Sequence, residues 1–313
     1  MASLELASKY LYRFGGIILL VFGNLGCVLD ILIFTKKTLR KNPCSIYFIA
    51  GSIFDLFFLD SLLLATILET GFQISVITQH IVLCHLAYYA SLFANVLSTY
   101  CLILASIDRV LVTSPNVAIR RRSTLFSSYV LVLIGTAFWL LFHSPSLIFT
   151  NITYIDENVS FCFYQTGFYL TFISYYSIIK ESSSILLLLF FGLWTVKNIR
   201  RLRRVALPTA TMQSGIVPLN TSRAIQPKDR QYVAMVLLDI VVFTICSSTA
   251  AMFLTEQQIS QYQQKSIEQV KIEIFFKYLV IFVLHIPFGS GCYTNLLVSK
   301  AYRNAMRNIF SRD

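Results

Sequence analysis

Seven long apolar segments constrain the fold of this chain more than any other feature of its sequence. A helix that crosses about 30 Å of hydrocarbon needs about 20 apolar residues, because each residue advances it by about 1.5 Å. The segments cover approximately residues 14–35, 45–68, 82–111, 126–149, 169–196, 231–254 and 272–298. The sequence therefore predicts an all-α membrane protein, a seven-transmembrane helix bundle that forms a single domain over residues 1–313.

A short amphipathic segment follows the last apolar segment, at about residues 299–311. Read as a helix, it carries its apolar side chains on one face, namely Tyr302, Ala305, Met306, Ile309 and Phe310. Arg303 and Arg307 belong to the opposite face. This pattern predicts an eighth helix that lies on the membrane surface.

The charge content excludes several classes of protein. Only 13% of the residues are charged, whereas soluble domains carry about 25%, so lipid is the expected solvent. The net charge of +11 does not predict nucleic-acid binding, because the basic residues occur in short clusters between the apolar segments. The four histidines are dispersed, and the sequence shows neither a catalytic triad nor a metal-binding spacing, so we expect no enzyme.

The distribution of Lys and Arg predicts the orientation of the chain in the membrane. If the N-terminus lies outside, 20 of the 26 basic residues fall on the cytoplasmic side, in agreement with the positive-inside rule. Asn151 and Asn158 each begin a glycosylation acceptor, and both fall in a loop that this orientation places outside. We expect a multi-pass plasma-membrane protein with a cytoplasmic C-terminus.

One connection on the predicted cytoplasmic side is long. It runs from about residue 197 to about residue 230 and contains three prolines and several serines and threonines. This composition predicts a largely disordered loop with helical extensions at both ends.

Several residues of this chain match the pattern of a known family. They include two residues of the third segment and one residue in each of several other segments. Cys84 and Arg109 are 25 residues apart, or about 37 Å of helix, so they belong at opposite faces of the membrane. The chain resembles the rhodopsin-like (class A) G-protein-coupled receptors, and within them invertebrate peptide receptors such as the FMRFamide-receptor-like group. The matching residues, in chain order, are Asn24, Asp55, Cys84, Asp108-Arg109-Val110, Trp139, Cys162 and the segment 298–303.

The resemblance implies a receptor that binds an extracellular ligand, such as a neuropeptide, and activates a heterotrimeric G protein. It implies a disulfide between Cys84 and Cys162, which the oxidising outer side would preserve. It also implies that Asp108 holds Arg109 in the resting state, and that Arg109 meets the G protein when the sixth helix moves. Val110 stands where the family has tyrosine.

Asp55 is a carboxylate near the bilayer centre, where an ionised group costs several kcal/mol unless it is paired or hydrated. The resemblance implies a pocket for an allosteric sodium ion, formed by Asp55 with Ser98 and Asn24. The alternative is a neutral, hydrogen-bonded acid that packs helices together.

Other polar residues of the segments are candidates for ligand contact. They are Asp60, His85, Ser91, Lys180, Glu181 and Asp239. Adjacent residues of a helix do not face each other, so we expect Lys180 and Glu181 to have separate partners. The alternative for each candidate is pairing inside the bundle.

Two departures from the family leave other functions open. The sixth segment has neither tryptophan nor proline, and Gly291–Asn295 stands where the family has its N-P-x-x-Y motif. One alternative is a receptor-like protein that binds ligand without coupling. The other is a seven-helix ion transporter or channel, which would use Asp55, Asp60, Lys180, Glu181 and Asp239 as its path. Such a protein predicts inverted repeats or broken helices, and neither is visible.

Overall fold

The computed structural model describes residues 2–156, 159–165, 167–206, 227–260 and 266–310. Within these residues, seven helices are long and apolar enough to cross a membrane. The predicted fold class, an all-α bundle of seven membrane-spanning helices, is confirmed.

The helices are named α1 to α8 in chain order. Helix α1 comprises Ala2–Tyr10, the π-helical segment Leu11–Gly16, and Ile17–Phe34. Helix α2 comprises Pro43–Phe58, the π-helical segment Leu59–Leu63, Leu64–Thr66, and a second π-helical segment, Ile67–Gly71. The others are α3 (Ile81–Val112), α4 (Leu125–His143, with a further turn Ser146–Phe149), α5 (Phe168–Ala206), α6 (Pro227–Ser260), α7 (Ile267–Val298) and α8 (Lys300–Phe310). A single turn, Val117–Arg120, connects α3 to α4.

Several helix starts follow directly from the local sequence. Asn42 caps α2 by accepting a hydrogen bond of 3.0 Å from the backbone N–H of Cys44, and Pro43 takes the first helical position. Ser266 and Gln269 form a capping box at the start of α7, in which each side chain bonds the other residue's backbone N–H.

The helices extend beyond the predicted apolar segments. Helix α1 begins at Ala2, and α7 begins at Ile267. Apolar segments mark only the part of a helix that contacts hydrocarbon, so polar extensions escape that criterion. Helix α5 continues to Ala206 and α6 starts at Pro227, in agreement with the predicted extensions; the predicted disordered residues 207–226 lie outside the described residues.

A β-hairpin, which the sequence analysis did not predict, lies between α4 and α5. Strand β1 (Thr150–Asp156) pairs antiparallel with β2 (Val159–Tyr164). The predicted disulfide is present and joins Cys162 of β2 to Cys84 in the first turn of α3. We call this end of the bundle the hairpin end, and the opposite end the α8 end.

Helices α1 and α7 approach each other closely at two glycines. A Cβ atom added to Gly289 would lie 3.2 Å from the Cα atom of Gly23. A Cβ atom added to Gly23 would lie 3.3 Å from the Cα atom of Gly289, and it would also lie 2.8 Å from a methyl carbon of Leu59 in α2. Small residues at such crossings allow helix backbones to pack directly in a membrane, where lipid supplies no hydrophobic driving force between helices.

The substitution Gly289→Ala is expected to destabilise the protein by about 1–3 kcal/mol, because the new methyl group overpacks the contact with α1. Gly51→Ala is the matched control, since its Cβ atom would meet only the Cβ atom of Cys101, at an ordinary 3.7 Å. Unfolding in detergent can be followed with a thiol-reactive dye, because the free cysteines of the described chain are buried. Equal melting temperatures for both variants would contradict this account of the contact.

Candidate functional site

Arg109, at the α8 end of α3, is the centre of a buried charged cluster. Its side chain is 1% exposed and forms an ion pair with the neighbouring Asp108, as the resemblance implied. Asp108 also accepts a hydrogen bond of 2.5 Å from the Ser123 hydroxyl. Val110 is buried beside this pair, and its carbonyl accepts a hydrogen bond of 3.3 Å from the Asn198 side chain of α5.

The same arginine connects α3 to α2 and α6. Arg109 Nη2 donates a hydrogen bond of 3.1 Å to Asn42, and Arg109 Nη1 lies 3.7 Å from a carboxylate oxygen of Asp229. Its guanidinium carbon lies 5.5 Å from the ring centroid of Tyr232. We call Asn42, Asp108, Arg109, Asp229 and Tyr232 the Arg109 network. The sequence analysis missed its α2 and α6 members, although Asn42 is recognisable as a cap.

Three aspartates line one cavity in the middle of the bundle. Asp30 of α1, Asp55 of α2 and Asp239 of α6 border a space of about 70 Å³, which we call the carboxylate cavity. Ser98, which was predicted to share a sodium pocket with Asp55, donates a hydrogen bond to it. Most polar groups that line it are carboxylate and hydroxyl oxygens, which suit a hard cation such as sodium. Among the described residues, however, no three acidic, histidine or cysteine residues are grouped to hold a metal ion.

Asn24 does not join this cavity, contrary to the expectation from the resemblance. Its Nδ2 atom donates a hydrogen bond of 2.7 Å to Asp60. Asp60 lies five residues beyond Asp55 along α2, inside the π-helical segment Leu59–Leu63. The Asn24–Asp60 pair is therefore separate from the carboxylate cavity.

Asp30 is a buried carboxylate that the sequence analysis missed. It accepts hydrogen bonds of 2.5 Å from the Tyr302 hydroxyl and 3.3 Å from the Asn295 amide. Burial raises the pKa of the Tyr302 phenol well above its usual range, and the charge of Asp30 acts in the same direction. The bond from the Tyr302 hydroxyl to Asp30 fastens α8 to α1. In the same cavity, Asp239 accepts a hydrogen bond of 2.6 Å from Thr294 and so pairs internally.

A glutamine of α6 also bonds to the start of α8. Gln231 Oε1 accepts hydrogen bonds of 3.0 Å from the Ser299 hydroxyl and 2.8 Å from the backbone N–H of Ala301. On the predicted apolar face of α8, Tyr302 and Ala305 are buried against the bundle. The side chain of Phe310, which was predicted for that face, lies outside the described residues.

Lys180 and Glu181 of α5 pair with each other, so the expectation of separate partners was wrong. The flexible lysine stem lets its ammonium turn back to the neighbouring residue, although the two Cβ atoms point apart. Lys180 Nζ also donates a hydrogen bond of 2.5 Å to Asn95 of α3. Glu181 is 4% exposed, and its second oxygen has no hydrogen-bond partner within the described chain.

The remaining ligand candidates do not converge on one cavity. Ser91 is buried, and its hydroxyl donates to the backbone carbonyl of Tyr88 in its own helix. His85 is partly exposed beside the disulfide. Among the predicted glycosylation acceptors, Asn151 is exposed on β1, and Asn158 lies outside the described residues.

A charged cleft at the hairpin end was also missed by the sequence analysis. It has a volume of about 570 Å³ between α1, α2 and α7, and it carries Glu5, Lys9, Glu69 and Lys271. The hydroxyl of Tyr12 anchors α1 to α7 through a hydrogen bond of 2.9 Å to a backbone carbonyl. This contact holds the first turns of α1 in place as one wall of the cleft.

A scan against models of known protein families finds no match for this chain, and a search of curated proteins finds no significant relative.

The substitution Tyr302→Phe is expected to destabilise the protein by about 1–3 kcal/mol, because it leaves the buried Asp30 carboxylate without its closest donor. Tyr293→Phe is the matched control, since it removes a hydroxyl that bonds the carbonyl of Phe22 at an exposed position. Thermal unfolding in detergent measures both changes. Equal loss of melting temperature in the two variants would show that the hydrogen bond to Asp30 contributes no more to stability than the exposed one.

Proposed function

We propose that this protein is a rhodopsin-like G-protein-coupled receptor of the plasma membrane. In this proposal the hairpin end lies outside the cell and binds the ligand, and the α8 end faces the cytoplasm and activates a heterotrimeric G protein. The observation that carries the proposal is the Arg109 network, in which a buried arginine of α3 contacts both Asp229 and Tyr232 of α6.

The network has the properties of a closed resting state. Arg109 is almost fully buried, so a cytoplasmic partner reaches it only if the start of α6 moves away. A ligand that binds the open conformation more tightly than the closed one shifts the population towards the open conformation. No covalent chemistry is required of the receptor.

Two other features support parts of this mechanism. The cleft at the hairpin end carries two carboxylates and two ammonium groups, which suits an extracellular peptide with charges of both signs. In the bundle, Asp55 and Ser98 supply oxygen atoms that would suit a sodium ion, whose charge would offset the cost of an ionised carboxylate among apolar helices.

The substitution Asp229→Asn is expected to raise ligand-independent signalling about fivefold, because losing roughly 1 kcal/mol of charge-assisted bonding favours the open state. Arg109→Ala is expected to abolish signalling, because it removes the group that meets the G protein. G-protein dissociation sensors in cells measure both effects at matched surface expression. Arg230→Gln, at the exposed neighbouring position, is the control for a nonspecific charge effect. Unchanged signals in both the Asp229 and Arg109 variants would count decisively against coupling through this network.

An ion transporter or channel is the second candidate, and the carboxylate cavity is the observation that favours it. Three carboxylates from three helices border one space, as a path for sodium or protons would require. If the receptor proposal is right, purified protein in liposomes will carry no sodium or proton flux above protein-free liposomes. A flux that disappears in Asp55→Asn would favour the transporter instead.

A further inference from the structure

Asp60 has an unusual position for an ionisable residue of a membrane helix. It belongs to the apolar part of α2, yet it is exposed on the surface of the bundle. Phe57 and Leu64, on the same face, are 54% and 38% exposed. Ionisable residues within membrane spans are rare and almost always face the bundle interior, because lipid cannot solvate them. An outward-facing carboxylate at this place indicates a functional site.

Asp60 lies well inside the apolar span of α2, away from either end. It lies 11 residues before Gly71, the last residue of α2, which corresponds to about 16 Å of helix. It also belongs to the π-helical segment Leu59–Leu63. Such segments are rare and frequently mark functional sites, because each one rotates the side chains that follow it around the helix.

Within the described residues, the carboxylate of Asp60 has a hydrogen-bond donor but no positively charged partner. One carboxylate oxygen accepts a hydrogen bond from Asn24 Nδ2. Asn24 Oδ1, on the same amide, has no partner among the described residues. Within the described chain, no lysine, arginine or histidine forms an ion pair with Asp60. Because Asn24 Oδ1 is buried, the exposed carboxylate of Asp60 is the group that is complementary to a positively charged hydrogen-bond donor.

An apolar crevice opens directly beside this carboxylate. It has a volume of about 370 Å³ and lies between α2, the segment that connects α2 to α3, and the first turns of α3. Its apolar walls include Leu64, Leu68, Ile74, Leu83 and Leu86. Its polar groups come from Asp60, Ser61, Glu69, Ser75 and Thr78, and Glu69 lies about two helical turns from Asp60 along α2. The volume lies within the range of small-molecule sites, which is about 300–1,000 Å³. We call this space the Asp60 crevice.

We propose that the Asp60 crevice binds an amphipathic amine that enters from the lipid phase. The ammonium group contacts Asp60, and the apolar body lies along the leucine side chains of the crevice. A neutral lipid would leave the carboxylate without a counter-charge. A partner helix would cover the outer face of α2 but leave the concave space beside it unfilled. This site is independent of the proposed coupling to a G protein.

Photolabelling of the full chain in phosphatidylcholine nanodiscs tests the proposal. The probe is a long-chain alkylamine that carries a diazirine, and mass spectrometry locates the labelled peptides. We expect labelling within residues 61–87, and we expect dodecylamine to compete at concentrations at which dodecanol does not. Asp60→Asn is expected to lower the labelling at least fivefold, whereas Asp60→Glu, which keeps the charge, retains most of it.

Glu256→Gln is the control, because Glu256 is an exposed carboxylate of α6 outside the crevice. Full labelling of Asp60→Asn would overturn the proposal, and so would equal competition by dodecanol and dodecylamine. Labelling spread evenly over all helices would also overturn it, because it would indicate partitioning into the lipid alone. If Asp60→Asn does not fold, the two competitors on the unmodified chain still decide between these outcomes.

Discussion

Lipid offers no hydrogen bonds, and the polar interior of this bundle is organised around that constraint. Four aspartates inside the bundle, of which Asp30 and Asp108 are buried and Asp55 and Asp239 half-buried, would be unfavourable among apolar helices if they stood alone. Each instead accepts a hydrogen bond from another part of the chain: Asp30 from Tyr302, Asp55 from Ser98, Asp108 from Arg109 and Ser123, and Asp239 from Thr294. Three of these bonds join different helices, so satisfying the polar groups also fixes how those helices are arranged.

The two ends of the bundle are held by different kinds of interaction. At the hairpin end, the Cys84–Cys162 disulfide attaches the hairpin to α3 covalently, and the Tyr88 hydroxyl adds a hydrogen bond of 2.8 Å to the carbonyl of Cys162. At the α8 end, hydrogen bonds and charge pairs hold α6. Water or a protein partner can replace such bonds, whereas neither can replace a disulfide. The contacts of α6 at the α8 end are therefore reversible, whereas the attachment of the hairpin to α3 is covalent.

The sequence predicted features that depend on local composition, and it missed features that depend on how helices rotate against each other. The seven spans follow from local hydropathy, and the disulfide was an expectation from the family resemblance. The partner of Asn24 could not be read in this way, because the π-helical segments of α2 alter which side chains share a face. Lys180 was misjudged because helix geometry does not specify where a flexible lysine stem turns. The bond between Asp30 and Tyr302 joins residues 272 positions apart, and no local pattern reports such a contact.

Gln231 of α6 accepts two hydrogen bonds at the junction of α7 and α8, so the position of α6 affects how these two helices are joined. The first backbone N–H groups of α8 have no acceptor within the helix itself. Gln231 supplies an acceptor for one of them, because its Oε1 atom accepts a hydrogen bond from the N–H of Ala301. If the first turns of α6 swing outward by more than a bond length, that N–H and the Ser299 hydroxyl lose their acceptor together. A displacement of one helix would thereby loosen the joint between α7 and α8, and the α8 end of the bundle would change shape at two places in a single step.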